Sequence, residues 1–243
     1  MFFTQNSVFR HHCENAEAVI SASRALAALA AVSKGNAGWL GPLGACESLL
    51  LAHDRHAGDK RVVSAIWNAV GTLCSYNRER FSNLGCAQYV VSSLQLHFQS
   101  NVDLGSDGTS SSALASSAAY AIGRLCEPLH DAARPVGLHN RRALHAAGCC
   151  EILATVLLRE HSNITAATNI FRAISTMSNG LYSAKVRVIN PLHLTFFFLL
   201  GAISDSFKWK TIFFYTFFSG AQGFRNIWCL CSFECCHERT SPT

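Results

Sequence analysis

The residues best suited to bind a metal lie near the end of the chain, in the spacing Cys-x-Cys-x3-Cys-Cys-His. They are Cys229, Cys231, Cys235, Cys236 and His237. Thiolates and imidazole are preferred zinc ligands, but structural zinc sites usually combine one close cysteine pair with a distant second pair. Because all five residues are crowded into one segment with no evident scaffold, we treat them as weak zinc candidates and predict no cofactor.

Known catalytic motifs are not recognisable in the sequence. It contains no G-x-S-x-G nucleophile turn, no G-x4-G-K-[ST] phosphate loop and no H-E-x-x-H zinc pair. Cys149 and Cys150 follow Gly148, where a helix start could lower a thiol pKa, although small apolar filling of a helix start is the more common role. His53 and His56 lie at a predicted helix end, where we expect a capping or solvent-facing pair. The sequence therefore predicts a protein that is not an enzyme.

The elements that would position these residues recur along the chain. An asparagine is followed by an apolar residue four positions later and by a glycine eight positions later in three places: Asn36 to Gly44, Asn77 to Gly85 and Asn140 to Gly148. We expect the asparagine to cap a short helix and the glycine to end it in a left-handed turn, after which a second helix begins. Recurrence over tens of residues is typical of stacked repeats.

A second recurring pattern predicts one long helix in each unit. Alanine is followed by aliphatic residues at positions +1 and +4 in four places: Ala25-Leu26-x-x-Leu29, Ala69-Val70-x-x-Leu73, Ala121-Ile122-x-x-Leu125 and Ala173-Ile174-x-x-Met177. This spacing places small and apolar side chains on one stripe of a helix, so that neighbouring helices can approach closely. The pattern predicts a buried seam between successive units.

A unit of two short helices and one long helix, about 42 residues in length, resembles the armadillo repeat. The resemblance covers about residues 14–184 and implies an all-α, right-handed α-solenoid with one partial and three full repeats. We expect an extension over residues 1–13, an insert loop over 99–112 and a separate tail over 185–243. The array would then be open at both ends, as in a fragment of a longer repeat protein.

Armadillo proteins bind extended peptides along their long helices, so the resemblance implies a non-enzymatic protein-binding scaffold. In the importin-α type, an asparagine and a tryptophan on each long helix hold the peptide. The matching positions here are Ala28, Thr72, Arg124 and Thr176 for asparagine and Arg24, Asn68, Tyr120 and Arg172 for tryptophan. The family residues are not retained, so we do not expect basic peptides to bind. Arg24, Arg124 and Arg172 with Tyr120 instead predict a groove for acidic or phosphorylated segments, bound through paired guanidinium contacts. The candidate groove residues are Arg24, Asn68, Thr72, Tyr120, Arg124, Asn169 and Arg172; the alternative is that they are ordinary solvated positions.

Composition limits the other partners. The formal net charge is +5 and charged residues make up only 14% of the chain. Because no basic run stands out, we do not expect nucleic-acid binding. No signal peptide is recognisable, so we expect a cytoplasmic protein with reduced thiols, in which Cys46, Cys74, Cys86, Cys126, Cys149 and Cys150 act as small apolar residues.

The tail differs in character from the repeats. Phenylalanines cluster between Phe196 and Phe233, in two apolar runs at 192–204 and 211–219. Each run is shorter than the roughly 20 residues that span a bilayer. One hypothesis is that residues from 185 onward are translated intron or frameshifted sequence. The other is that residues 192–219 attach an armadillo adaptor to a membrane.

Overall fold

The computed structural model describes residues 11–99, 108–127 and 134–178, and these ranges are all-helical, without β-strands. They belong to one compact unit. The helices are α1 (Ala16–Val32), α2 (Lys34–Leu40), α3 (Ala45–Arg55), α4 (Lys60–Asn83), α5 (Cys86–Phe98), α6 (Gly108–Cys126), α7 (Arg134–Ala146), α8 (Cys149–Glu160) and α9 (Ile164–Ser178).

The four long helices α1, α4, α6 and α9 pack side by side in that order. They run parallel, because residues near the start of each helix meet residues near the start of the next. Arg61 Nη1 on α4 donates to Glu17 Oε1 on α1 at 3.1 Å, and Asn169 Nδ2 on α9 donates to Ser116 Oγ on α6 at 2.9 Å. The shorter helices cover the other face of this layer.

The predicted apolar seam is confirmed as the core between the long helices. Ala69, Ala121 and Ala173 have no exposed surface, and neither do Val70, Leu73, Ile122 and Leu125. Ala25 and Leu29 on α1 are only half-buried, since α1 has a long-helix neighbour among the described residues on one side only. Small side chains at these positions let the helix axes approach, and burial of the neighbouring aliphatic residues stabilises the layer.

The recurring glycines adopt the predicted left-handed backbone. Gly44, Gly85 and Gly148 have φ angles of 88°, 70° and 82°. Other residues enter this region at a cost because their Cβ approaches the following carbonyl oxygen. Helices α3, α5 and α8 each begin at the residue after the glycine. Gly44 and Gly148 thus separate two short helices, whereas Gly85 follows the part of α4 that continues past its kink at Asn77 to Asn83.

The recurring asparagines do not cap helix starts, and that prediction is wrong. Ser33 caps α2, while Asn36 and Asn140 lie inside α2 and α7. Asn77 has non-helical φ and ψ angles of −125° and 22° and marks a kink between two segments of α4. Their side-chain amides instead donate to carbonyl oxygens at the end of a long helical segment: Asn36 to Leu29 O (3.2 Å), Asn77 to Leu73 O before the kink of α4 (3.3 Å) and Asn140 to Leu125 O (3.1 Å). Each of these acceptors is the last leucine of its seam. Carbonyls in the last turn of a helix lack an intrahelical partner, so the asparagine satisfies them. Asn77 also donates to Ala37 O at 2.6 Å.

The long insert predicted over residues 99–112 is shorter in the structure. Helix α6 begins at Gly108, so residues 108–112 are helical, and residues 100–107 lie outside the described ranges. The serine-rich composition suggested a solvated loop. Tertiary contacts favour the helix here, because Lys60 Nζ donates to Ser111 Oγ at 3.4 Å and Ser112 Oγ donates to the Glu160 carboxylate.

The two ends of the chain are described only in part. Cys13, predicted to belong to an extension, is buried, and its carbonyl oxygen lies 2.7 Å from His56 Nε2. The tail from residue 185, including the apolar segment 192–219, lies outside the described residues. Within the described ranges, every helix falls short of the length and apolar character needed to span a bilayer.

Candidate peptide-binding groove

The exposed face of the long-helix layer contains an open pocket of about 510 Å³. Residues from all four long helices line it: Arg24 from α1, Arg61, Ser64, Ala65 and Asn68 from α4, Ala113, Ser116, Ser117 and Tyr120 from α6, and Asn169 from α9. The lining combines small alanine and serine side chains with longer polar ones. The pocket can therefore accept a chain that crosses the helices and offer hydrogen bonds to it.

Four of the seven predicted groove residues line this pocket. Arg24, Asn68 and Tyr120 occupy the same position of the repeat, one residue before the seam alanine of their helices. Parallel packing of the helices brings equivalent positions together. Asn169 lies on α9, about one turn before the equivalent residue Arg172, and its amide is held by Ser116.

Tyr120 reaches over α4 because α4 has a glycine at the contact. A Cβ added to Gly71 would lie 2.4 Å from Tyr120 Cδ1 and 2.6 Å from Cε1. The tyrosine ring therefore occupies the space that any other residue at position 71 would fill. The equivalent glycine of α6, Gly123, has only ordinary contacts with Ala173 of α9. A single missing methyl group thus determines where one wall of the pocket lies.

The three other predicted residues, Thr72, Arg124 and Arg172, are not part of the pocket lining. Thr72 Oγ1 donates to Asn68 O of its own helix at 2.9 Å, and Arg172 is exposed on α9 outside the pocket lining. Arg124 forms an ion pair with Glu127 and donates to Ser75 Oγ. A ligand would therefore compete with Glu127, one turn later, for the guanidinium of Arg124, and the place of Arg124 in the groove stays a prediction.

Charge is distributed unevenly around the pocket. Arg61 is shared between two carboxylates, with Nη1 3.1 Å from Glu17 Oε1 and Nη2 3.3 Å from Asp59 Oδ2. The hydrogen bond to Asp59 and the attraction of both carboxylates raise the pKa of Arg61. Arg24, in contrast, is exposed and makes no ion pair or hydrogen bond with the described residues. Its guanidinium is available to a ligand.

Sequence reasoning missed Arg61, Ser64 and the serines of α6. The signal was present, because Arg61, Ser64 and Asn68 are spaced i, i+3 and i+7 along α4 and so share one face of the helix. The same spacing joins Ala113, Ser116 and Tyr120 on α6. What the sequence lacks is the register between α4 and α6, which decides which turns face each other.

A Ser-His-Asp group lies outside the pocket lining, with its serine and histidine buried. His53 Nε2 is 2.5 Å from Ser93 Oγ, and His53 Nδ1 is 3.8 Å from Asp54 Oδ1. Trp67 Nε1 donates to Ser93 Oγ at 3.2 Å, and Ser93 Oγ donates to Tyr89 O at 3.0 Å. Ser93 is 2% exposed and His53 4% exposed, so a substrate has no access to the hydroxyl that a nucleophilic mechanism would use.

This network also corrects the prediction that His53 caps a helix or faces solvent. The imidazole is buried and is not solvent-facing, with its ring 5.2 Å from the ring of Trp67. His56, in contrast, is the residue at the end of α3, as predicted. The helical spacing of the two histidines allowed either arrangement, and the packing of α5 against α3 decided between them.

The cysteines of the described repeats are buried and form no disulfide bonds, which confirms their predicted role as small apolar residues. Burial raises the pKa of Cys46 to about 12 and that of Cys126 to about 12. It also raises the pKa of Cys149 well above the usual value. The alternative that a helix start activates Cys149 is therefore wrong, because desolvation of the thiolate outweighs the helix dipole.

A metal site is not found among residues 11–99, 108–127 and 134–178. The weak zinc candidates Cys229, Cys231, Cys235, Cys236 and His237 lie outside these ranges.

Comparison with protein-family models, with curated proteins and with solved structures gives no significant match. The function is therefore inferred from the residues and their geometry.

Proposed function

We propose that this chain is a non-enzymatic, armadillo-type repeat protein that binds an extended peptide segment across α1, α4, α6 and α9. The observation that carries the proposal is the pocket to which all four long helices contribute polar side chains. A catalytic site would need a nucleophile with a positioned base beside a cavity. The one such pairing in the described residues, His53 with Ser93, is buried and lies outside the pocket lining.

The armadillo-type arrangement, with a right-handed superhelical turn, is part of this proposal. Three features that recur along the chain support it. They are the seam alanines, the left-handed glycines and the asparagines that donate to the last seam leucine. A repeat with fixed internal contacts stacks each unit on its neighbour in the same way. The long helices then form one continuous binding surface, and the protein acts as a cytoplasmic scaffold.

The dimensions fit a peptide of moderate length. Packed helix axes are about 8–10 Å apart, so three intervals between four helices span roughly 24–30 Å. An extended chain covers about 3.3 Å per residue. A segment of about seven to nine residues would cross the whole layer, and its backbone could bond to the Asn68 amide and the Tyr120 hydroxyl.

Selection of random 12-residue peptides displayed on phage tests the proposal. The variant Asn68→Trp places a bulky side chain in the pocket from an exposed position, and Gln88→Trp places the same side chain at an exposed position of α5 outside the lining. We expect enriched peptides to bind the wild type and Gln88→Trp equally and to bind Asn68→Trp at least about 10-fold more weakly. Peptides that bind Asn68→Trp as tightly as the wild type would count against the proposal. A selection in which no peptide is enriched would count against it as well.

A further inference from the structure

The charges around the pocket divide it into two unlike ends. Arg24 and Glu17 both lie on α1, seven residues apart, which corresponds to about 10 Å along the helix. The Arg24 end offers a guanidinium that has no partner in the described residues. At the other end, Glu17 and Asp59 share Arg61, so two carboxylates face one cation there.

We propose that the pocket selects a segment with a carboxylate side chain at the Arg24 end and a neutral or basic residue about three positions away. This inference rests on the proposed function and adds the ligand's charge pattern. The flat guanidinium of Arg24 can form paired hydrogen bonds with an aspartate or glutamate side chain. For this pattern the segment runs along α1 at the edge of the layer before it crosses to α4, so that three residues of extended chain cover the roughly 10 Å from Arg24 to Glu17 and Asp59.

The second half of the pattern follows from the state of Arg61. A guanidinium held by two carboxylates has little remaining attraction for an anion, and a second acidic residue of the ligand would approach Glu17 and Asp59 directly. Like charges at short range disfavour binding. The pocket therefore rejects polyacidic segments, which a simple count of the arginines Arg24 and Arg61 would have favoured.

The test uses synthetic, fluorescein-labelled copies of the most enriched displayed peptide, measured by fluorescence polarisation with the full chain. Arg24→Gln removes the proposed contact. Arg172→Gln is the matched control, because Arg172 occupies the same repeat position on α9, is also exposed and lies outside the pocket lining. We expect Arg24→Gln to weaken binding by about 10-fold or more and Arg172→Gln to change it by less than about two-fold.

Two changes in the peptide complete the test. Replacing its acidic residue by the neutral amide should weaken binding to the wild type by about 10-fold and have little effect in Arg24→Gln. Adding a second acidic residue three positions away should weaken binding to the wild type, and Glu17→Gln should recover much of that loss.

The outcomes separate this inference from the proposed function. Enriched peptides that lack acidic residues but are still blocked by Asn68→Trp would leave the groove in place and overturn the carboxylate inference. Equal effects of Arg24→Gln and Arg172→Gln would overturn it as well. Tighter binding when phosphoserine replaces the acidic residue would show that the selected group is phosphate. If no peptide depends on Asn68, both proposals fail together.

Discussion

His53 shows how strongly one residue's environment can differ from its sequence context. It lies on α3 and contacts Trp67 on α4 and Tyr89 on α5, with ring centroids 5.2 Å and 5.5 Å away. Burial lowers the pKa of His53, and the nearby Asp54 opposes part of that shift. The neutral imidazole therefore joins three helices, and its protonation would place a charge among aromatic rings.

We predict that the free energy of unfolding falls as pH decreases below about 6.5. The unfolded chain binds a proton at His53 in this range, while the folded chain, whose His53 pKa is lowered, does not. Protonation thus favours the unfolded state, and the stability present above the unfolded pKa is lost on acidification. Urea unfolding at several pH values measures the slope.

The variant His53→Gln should unfold with a weaker pH dependence between about pH 5 and 7. The control His139→Gln removes an imidazole that is exposed on α7 and should keep the wild-type slope. If all three proteins show the same slope, His53 does not carry this pH dependence.

At the scale of elements, the end of α6 shows how neighbouring helices are tied together. Arg78 donates to Arg124 O at 3.1 and 2.8 Å, and Arg141 donates to Cys126 O at 3.0 and 2.8 Å. Asn140 donates to Leu125 O between them. Three successive carbonyls at a helix end, where the dipole is negative, thus receive donors from α4 and α7.

The two glycines at equivalent positions of α4 and α6 give opposite predictions. Gly71→Ala forces its Cβ into the Tyr120 ring, so the ring must move, and we expect a cost of about 1–3 kcal/mol and weaker peptide binding. Gly123→Ala meets only ordinary contacts near Ala173, and we expect it to be neutral or to stabilise α6 by about 0.5–1 kcal/mol. Thermal unfolding and polarisation binding measure both effects.

Each glycine variant serves as the control for the other. A Gly71→Ala protein with unchanged stability and unchanged peptide affinity would mean that the Tyr120 ring does not depend on Gly71.

For the whole described unit, stability depends on contacts between successive units, because each unit covers only part of its own apolar surface. Leu73 has no exposed surface and lies on α4, the helix that packs against both α1 and α6. The same helix also contacts α2, α3, α5 and α7. Loss of packing at Leu73 therefore weakens the contacts between several units at once.

We predict that Leu73→Ala lowers the free energy of unfolding by about 2–5 kcal/mol, since it removes buried methyl groups and leaves a cavity. Leu51→Ala is the matched control, because Leu51 is 44% exposed on α3. We expect that substitution to cost less than about 1 kcal/mol. Chemical denaturation followed by circular dichroism measures both, and equal effects of the two variants would contradict the assigned core.

The sequence by itself determined the helices, the left-handed glycines and the alanine seam. These depend on local backbone preference and on periodicity, which are properties of residues close together in the chain. It also showed Arg24, Asn68 and Tyr120 at equivalent positions and predicted Asn169, and all four line the pocket.

Only the tertiary structure decided what these side chains do. The recurring asparagines were visible, but their acceptors on the preceding long helix were not, and Asn140 reaches back fifteen residues to Leu125. The structure pairs Arg124 with Glu127, while Arg24 has an exposed guanidinium. The reason is that pairing and burial depend on the register between helices distant in sequence, whereas a helix's own face is fixed by its spacing alone.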